Sequence, residues 1–127
     1  MNIKTLTLYS PQLDKQAHFY SQVLGLEIIE KNKTSVAFQV GNSILRFNYR
    51  ANFSPYHFAI NIPANQEHEA LGWLKQRVTI LTYEQAEIQY FNFWDAYAIY
   101  FYDEDKNIVE LIARRGIQNN ANQSFDP

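Results

Sequence analysis

The sequence predicts an α+β protein built from two βαβββ modules, and three observations carry that expectation. Residues 3–49 read as a strand, a helix and three strands. From Tyr56 onward the same order begins again. The segments that open and close the two halves also match: "TLTLYSP" from Thr5 aligns with "HFAINIP" from His57, both ending in proline, and "NSILRFN" aligns with "KNIVELI". In that register Thr5 is the counterpart of His57, and Arg46 of Glu110. Repetition of one supersecondary unit is a strong organisational signal.

Each element has its own local reason. "IKTLTLY", Ile3 to Tyr9, alternates and is rich in Thr and aliphatics, as a half-buried strand should be. Ser10 and Pro11 suit an N-cap and a first helical turn. Leu13, Ala17, Tyr20 and Leu24 then recur at helical spacing, and Gly25 supplies the stop. "LEIIEK", "SVAFQV" and "SILRFNY" follow as strands separated by Asn/Lys-rich and Gly-Asn turns. In the second half "YHFAINI" is a strand and "QEHEALGWLKQR" a helix, acidic in its first turn and basic in its last, as the helix dipole favours. Apolar stretches between Val78 and Phe93 are strand material without clear boundaries. Ala96–Tyr102 and the strand containing Glu110 close the module, with "DEDKN" as a hairpin turn between them; it lacks the spacing and glycine of a calcium loop. The polar, Asn/Gln-rich segment 116–127 reads as a tail.

Composition removes several function classes. With 46% hydrophobic and 19% charged residues the chain can bury a core. Thirteen acidic against eleven basic residues leave a net charge of −2, which is no footprint for nucleic acid or an anionic membrane. No apolar run approaches a transmembrane span, and the first residues lack the pattern of a signal peptide, so a cytoplasmic protein is expected. Without cysteine there is no thiolate chemistry. Nine Tyr, nine Phe and two Trp can fill a thick core or line a pocket.

The strand "KNIVELIAR" poses the functional question. Val109, Leu111 and Ala113 share one face; Ile108, Glu110 and Ile112 share the other. A carboxylate in so apolar a strand needs a partner, because an isolated buried charge is costly. Alternation puts Thr5, Thr7 and Tyr9 on the corresponding face of the first strand. It does the same for Arg46 with Asn48, for His57 with Asn61, and for Tyr100 with Tyr102. Leu6, Leu8, Phe58, Ile60, Val109 and Leu111 fall on the opposite faces. Glu110 is thus expected to face a polar, ligand-accessible surface, with Arg46 as its counter-ion and Tyr9, Trp94, Tyr97 and Tyr100 as aromatic lining. Alternatively Arg46 grips a ligand itself, with Asp95 as its partner. His18 and His68 sit among polar helix neighbours and are expected to be exposed.

"HFYSQVLGLEI", "YHFAI" and "DEDKNIVELI", in that order, resemble the vicinal oxygen chelate superfamily, the glyoxalase/bleomycin resistance/dioxygenase group. The resemblance implies one domain over residues 1–115, with modules of about 1–51 and 52–115. Their sheets would curl into a half-open mixed cup with helices outside, in a homodimer. It also implies metal-ligand positions at Thr5, Arg46, His57 and Glu110, of which only His57 and Glu110 carry ligand chemistry. A catalytic divalent metal usually takes three protein ligands. The expectation is therefore a protein that binds a small aromatic or oxygen-rich molecule through Thr5, Tyr9, Arg46, His57, Trp94 and Tyr100, with an incomplete metal site that holds a divalent ion weakly or not at all. The alternative is a divalent-metal-dependent enzyme with His57 and Glu110 as ligands, Glu110 also moving protons as the catalytic residue.

Overall fold

The computed structural model describes residues 4–115, so the expected tail at 116–127 lies outside the described residues. These residues form two compact units: 4–56 with the turn 103–106, and 57–102 with 107–115.

In the first unit the strands are β1 (Thr5–Ser10), β2 (Glu27–Lys31), β3 (Ser35–Val40) and β4 (Ser43–Tyr49), in spatial order β1-β4-β3-β2. β1 runs parallel to β4, and the other pairs are antiparallel. Helix α1 (Leu13–His18) supplies the crossover that a parallel pair requires and packs on β3 and β4. It continues as a π-helical turn, Phe19–Val23. The apolar positions at helical spacing fall inward: Leu13, Ala17, Tyr20 and Leu24 are all buried. Gly25 ends the segment at φ +77°, a conformation glycine adopts without steric cost. The helix start differs from expectation. Ser10 remains in β1 and Gln12 takes the cap position, while Ser10 Oγ accepts a hydrogen bond from the Gln12 N–H at 3.1 Å. The core is aromatic, with the Tyr20 ring 5.3 Å from Phe38 and 5.4 Å from Phe47 between ring centroids.

The second unit contains β5 (His57–Ile62), α2 (Glu67–Lys75), β6 (Ile80–Leu81), β7 (Gln89–Phe91), β8 (Ala96–Tyr102) and β9 (Ile108–Arg114). The order is β5-β9-β8-β6, with β7 also paired to β8, and β5 is parallel to β9. The ambiguous stretch from Val78 to Phe93 thus resolves into two short strands laid along one partner, followed by a 3₁₀ turn at Asn92–Trp94. Fragments this short carry too little periodicity to be read from sequence. α2 packs on β8 and β9, covering the face that holds Phe58, Ile99, Phe101, Val109 and Leu111.

Expected alternation holds in the strands that open each module. In β1, Thr5 and Thr7 are exposed while Leu8 is buried; in β5, His57, Ala59 and Asn61 are exposed while Phe58 and Ile62 are buried. His18 and His68 are exposed as well. No helix among the described residues is long and apolar enough to cross a membrane.

Candidate functional site around Glu110

The two parallel pairs share one register. Thr5 lies opposite Ile44 and Thr7 opposite Arg46; His57 lies opposite Ile108 and Ala59 opposite Glu110. Thr5 and His57 are thus structural counterparts, as are Arg46 and Glu110, in agreement with the alignment of the two halves. The third strand of each row carries Ala37 opposite Arg46 and Tyr100 opposite Glu110.

Glu110 is the centre of the site. Its side chain is 12% exposed, and its Oε1 lies 3.0 Å from His57 Nε2. Ala59, directly across from Glu110, is too small to fill the space above it, which lets His57 reach over from two residues along β5. From the other side Tyr100 donates its hydroxyl to Glu110. Burial and then the neighbouring carboxylate charge raise the Tyr100 pKa above its ordinary value, so the phenol keeps the proton it donates. The His57 and Tyr100 rings meet edge to face, 5.8 Å between centroids. With its proton on Nε2, His57 donates to Glu110 and leaves Nδ1 as an acceptor; protonated on both nitrogens, it forms an ion pair. The carboxylate is therefore held by donors from both flanking strands, and the half-exposed imidazole presents its outer edge to solvent.

Arg46 makes a different contact from the one expected. Its Nη1 donates to Glu30 Oε1 and to Ser35 Oγ, both at 2.8 Å, while Glu110 has His57 and Tyr100. The expected Arg46–Glu110 counter-ion pair is thus replaced by partners within each unit. The cause is a row across three strands: Glu30 lies opposite Ala37, and Ala37 opposite Arg46. The small central residue lets the two long side chains meet. That hydrogen bond, with the guanidinium charge, lowers the Glu30 pKa. Glu30 follows a register shift in β2 between Ile28 and Glu30, which hides its row position from simple alternation.

The remaining candidates have their own local surroundings. Thr5 is exposed at the start of β1. Tyr9 is half-buried beneath the Arg50 guanidinium, 3.7 Å from its ring centroid. Trp94 is 63% exposed, and its ring neighbours are Phe91 and Phe93. Tyr97 packs on Tyr90 at 4.7 Å and under the Arg115 guanidinium at 4.5 Å. Asp95 is bonded by the Tyr90 hydroxyl at 3.1 Å, not by Arg46.

The donor set tests the metal that the fold family implies. His57 and Glu110 offer one imidazole nitrogen and one carboxylate. Among the described residues, no three His, Cys, Asp or Glu side chains come together in a metal-binding group. A catalytic divalent site usually takes three protein ligands. These residues fall one short and do not by themselves fit such a site.

No family model matches the chain. It is 30% identical over 117 residues to the metallothiol transferase FosB of Staphylococcus haemolyticus, covering 86% of this chain and 81% of that protein. FosB of Staphylococcus epidermidis matches with the same identity and coverage. Among solved structures, lactoylglutathione lyase from Agrobacterium tumefaciens superposes with a TM-score of 0.71 at 22% identity, covering 88% of this chain and 92% of that one. A glyoxalase/bleomycin resistance protein/dioxygenase from Nocardioides gives 0.69 at 16%, covering 99% and 90%. The repeated βαβββ modules, their shared register and these relatives lead to one conclusion: the chain belongs to the vicinal oxygen chelate superfamily of glyoxalases, bleomycin resistance proteins and dioxygenases.

Proposed function

We propose that this protein binds a small aromatic or oxygen-rich molecule on the Glu110 face, and that it does so without a metal. The single observation that carries this is a nearly buried carboxylate held by His57 on one side and Tyr100 on the other, on a face it shares with Ile108 and Ile112. His57 and Glu110 anchor oxygen or nitrogen atoms of the ligand, and the Tyr100 ring supplies a flat apolar wall. Thr5, Tyr9, Arg46 and Trp94 are the further ligand contacts in this reading, which treats residues 1–115 as one binding domain acting in the cytoplasm as a homodimer. Exposed Tyr90, Phe93 and Trp94 support a paired state, since large apolar rings clustered on a surface favour an interface. Light scattering on the purified protein should give twice the chain mass; a monomer at all concentrations would remove the dimer.

The experiment for the binding reading is a thermal-shift screen of catechols, diols and aromatic carboxylates on wild type and Glu110→Gln. Hits that stabilise the wild type and lose at least tenfold in affinity in the variant support it. Hits indifferent to Glu110 sink it.

A second reading is a divalent-metal-dependent enzyme, and one observation favours it. His57 Nε2 and Glu110 Oε1 are 3.0 Å apart. These two side chains would hold the ion, which would supply Lewis-acid polarisation of a ligand oxygen. The metallothiol transferase relatives point the same way. Stoichiometric metal in the purified protein, lost in His57→Ala, would make this reading the leading one.

A further inference from the structure

We propose that the first unit carries a second binding site, a basic groove for a small polyanion. A cavity of about 760 Å³ opens between the start of α1 and the β2–β3 turn, lined by Pro11–Lys15, Lys31–Lys33 and Tyr49. All of these residues belong to the first unit, and none is part of the Glu110 cluster.

Its charge runs against that of the chain. A protein of net charge −2 places Lys15, Lys31 and Lys33 around one groove with a single carboxylate, Asp14, among the lining residues. Asp14 lies 3.3 Å from Lys31 Nζ, but the two side chains are 94% and 45% exposed. An ion pair this open gains little and exchanges readily with another anion. Neither Lys15 nor Lys33 has a carboxylate partner among the described residues.

The walls are more fixed than the lysines. The Gln12 side-chain amide donates to Asp105 Oδ1 at 2.7 Å and to the Glu104 carbonyl at 3.0 Å, which pins the entry to α1. Asn32 Oδ1 accepts from both the backbone N–H and the hydroxyl of Thr34, fixing the turn that presents Lys31 and Lys33. The Tyr49 ring, half exposed, and Pro11 provide an apolar surface beside the cations. Several ammonium groups on a constrained frame suit a ligand with two or more phosphate or carboxylate charges. Flexible lysines bind such groups as point charges, without the planar selectivity of arginine.

The test uses the full chain with inorganic pyrophosphate and, separately, citrate as probes, followed by ¹H–¹⁵N correlation spectra at low salt. Saturable shifts of the Gln12–Lys15, Lys31–Lys33 and Tyr49 amides are expected, with at least tenfold weaker binding in Lys31→Glu/Lys33→Glu. The Lys4→Glu/Arg114→Glu protein, which carries the same change in net charge at exposed positions that do not line the groove, should bind as wild type. Equal losses in both double variants would show a bulk charge effect and overturn the site. So would shifts spread over all surface lysines, or no saturation. Saturation by pyrophosphate alone would assign a phosphate ligand, and by citrate alone a carboxylate ligand. Because the probes report on the first unit, failure here leaves the Glu110 reading untouched.

Discussion

Glu110 shows how one residue's partner follows from its row in a sheet. Its environment was legible in the sequence as a carboxylate in an apolar strand. For its partner the counterpart alignment pointed to Arg46 while the family resemblance set His57 beside it as a ligand position, and the contact depends on which neighbours are small. Ala59 opens the path to His57, and Ala37 opens the path between Arg46 and Glu30. Arg46→Ala should lower the chemical-denaturation midpoint only slightly, since its ion-pair partner Glu30 is half exposed and screened by solvent, although Ser35 Oγ also loses its donor. The Glu30 contribution is present at neutral pH and lost as pH falls through the lowered Glu30 pKa, so what stability the pair adds should vanish on the acid side. Tyr20→Phe should cost more, about 1–3 kcal/mol, because the buried hydroxyl donates to Asp103 at 2.6 Å. Burial and then the Asp103 charge push the Tyr20 pKa well above its ordinary value. Above about pH 10 the unfolded chain loses that proton while the folded one keeps it, so wild-type stability falls with rising pH. Tyr20→Phe should flatten that alkaline limb, and an unchanged limb would show that another group causes it.

Strands and helices were legible where they are long and patterned. β3, β4 and β8 match their expected bounds, and β1, β5 and α2 differ only at their ends. β6 and β7 were not legible, since two or three residues cannot display a period and their pairing is dictated by β8. The π-helical turn also escaped, because a single extra residue per turn leaves the apolar spacing of Leu13, Ala17, Tyr20 and Leu24 nearly unchanged. The end of that helix gives a prediction about an element. Nothing lies within 4 Å of a Cβ built on Gly25, so Gly25→Ala would meet no steric obstacle from its surroundings. The cost is backbone strain at φ +77°, about 1–2 kcal/mol, measurable as a lowered denaturation midpoint. A neutral substitution would mean that the turn relaxes to negative φ.

At the scale of the whole molecule, the duplicated module sets two counterpart positions, Arg46 and Glu110, in different surroundings. The same register supports a partly exposed Arg46–Glu30 pair in one sheet and a nearly buried Glu110 beneath a half-exposed His57 in the other. A scaffold of this kind hosts many chemistries, so the fold alone does not choose among them. The choice rests on the Glu110 cluster. The most direct test is a ¹H–¹⁵N titration of metal-stripped protein, held in EDTA, with the best ligand from the screen. Metal-free binding predicts saturable shifts centred on His57, Ala59, Tyr100 and Glu110 that persist in EDTA. Binding absent in EDTA, and appearing once EDTA is removed and one equivalent of zinc is added, would contradict it and assign the site to a metal.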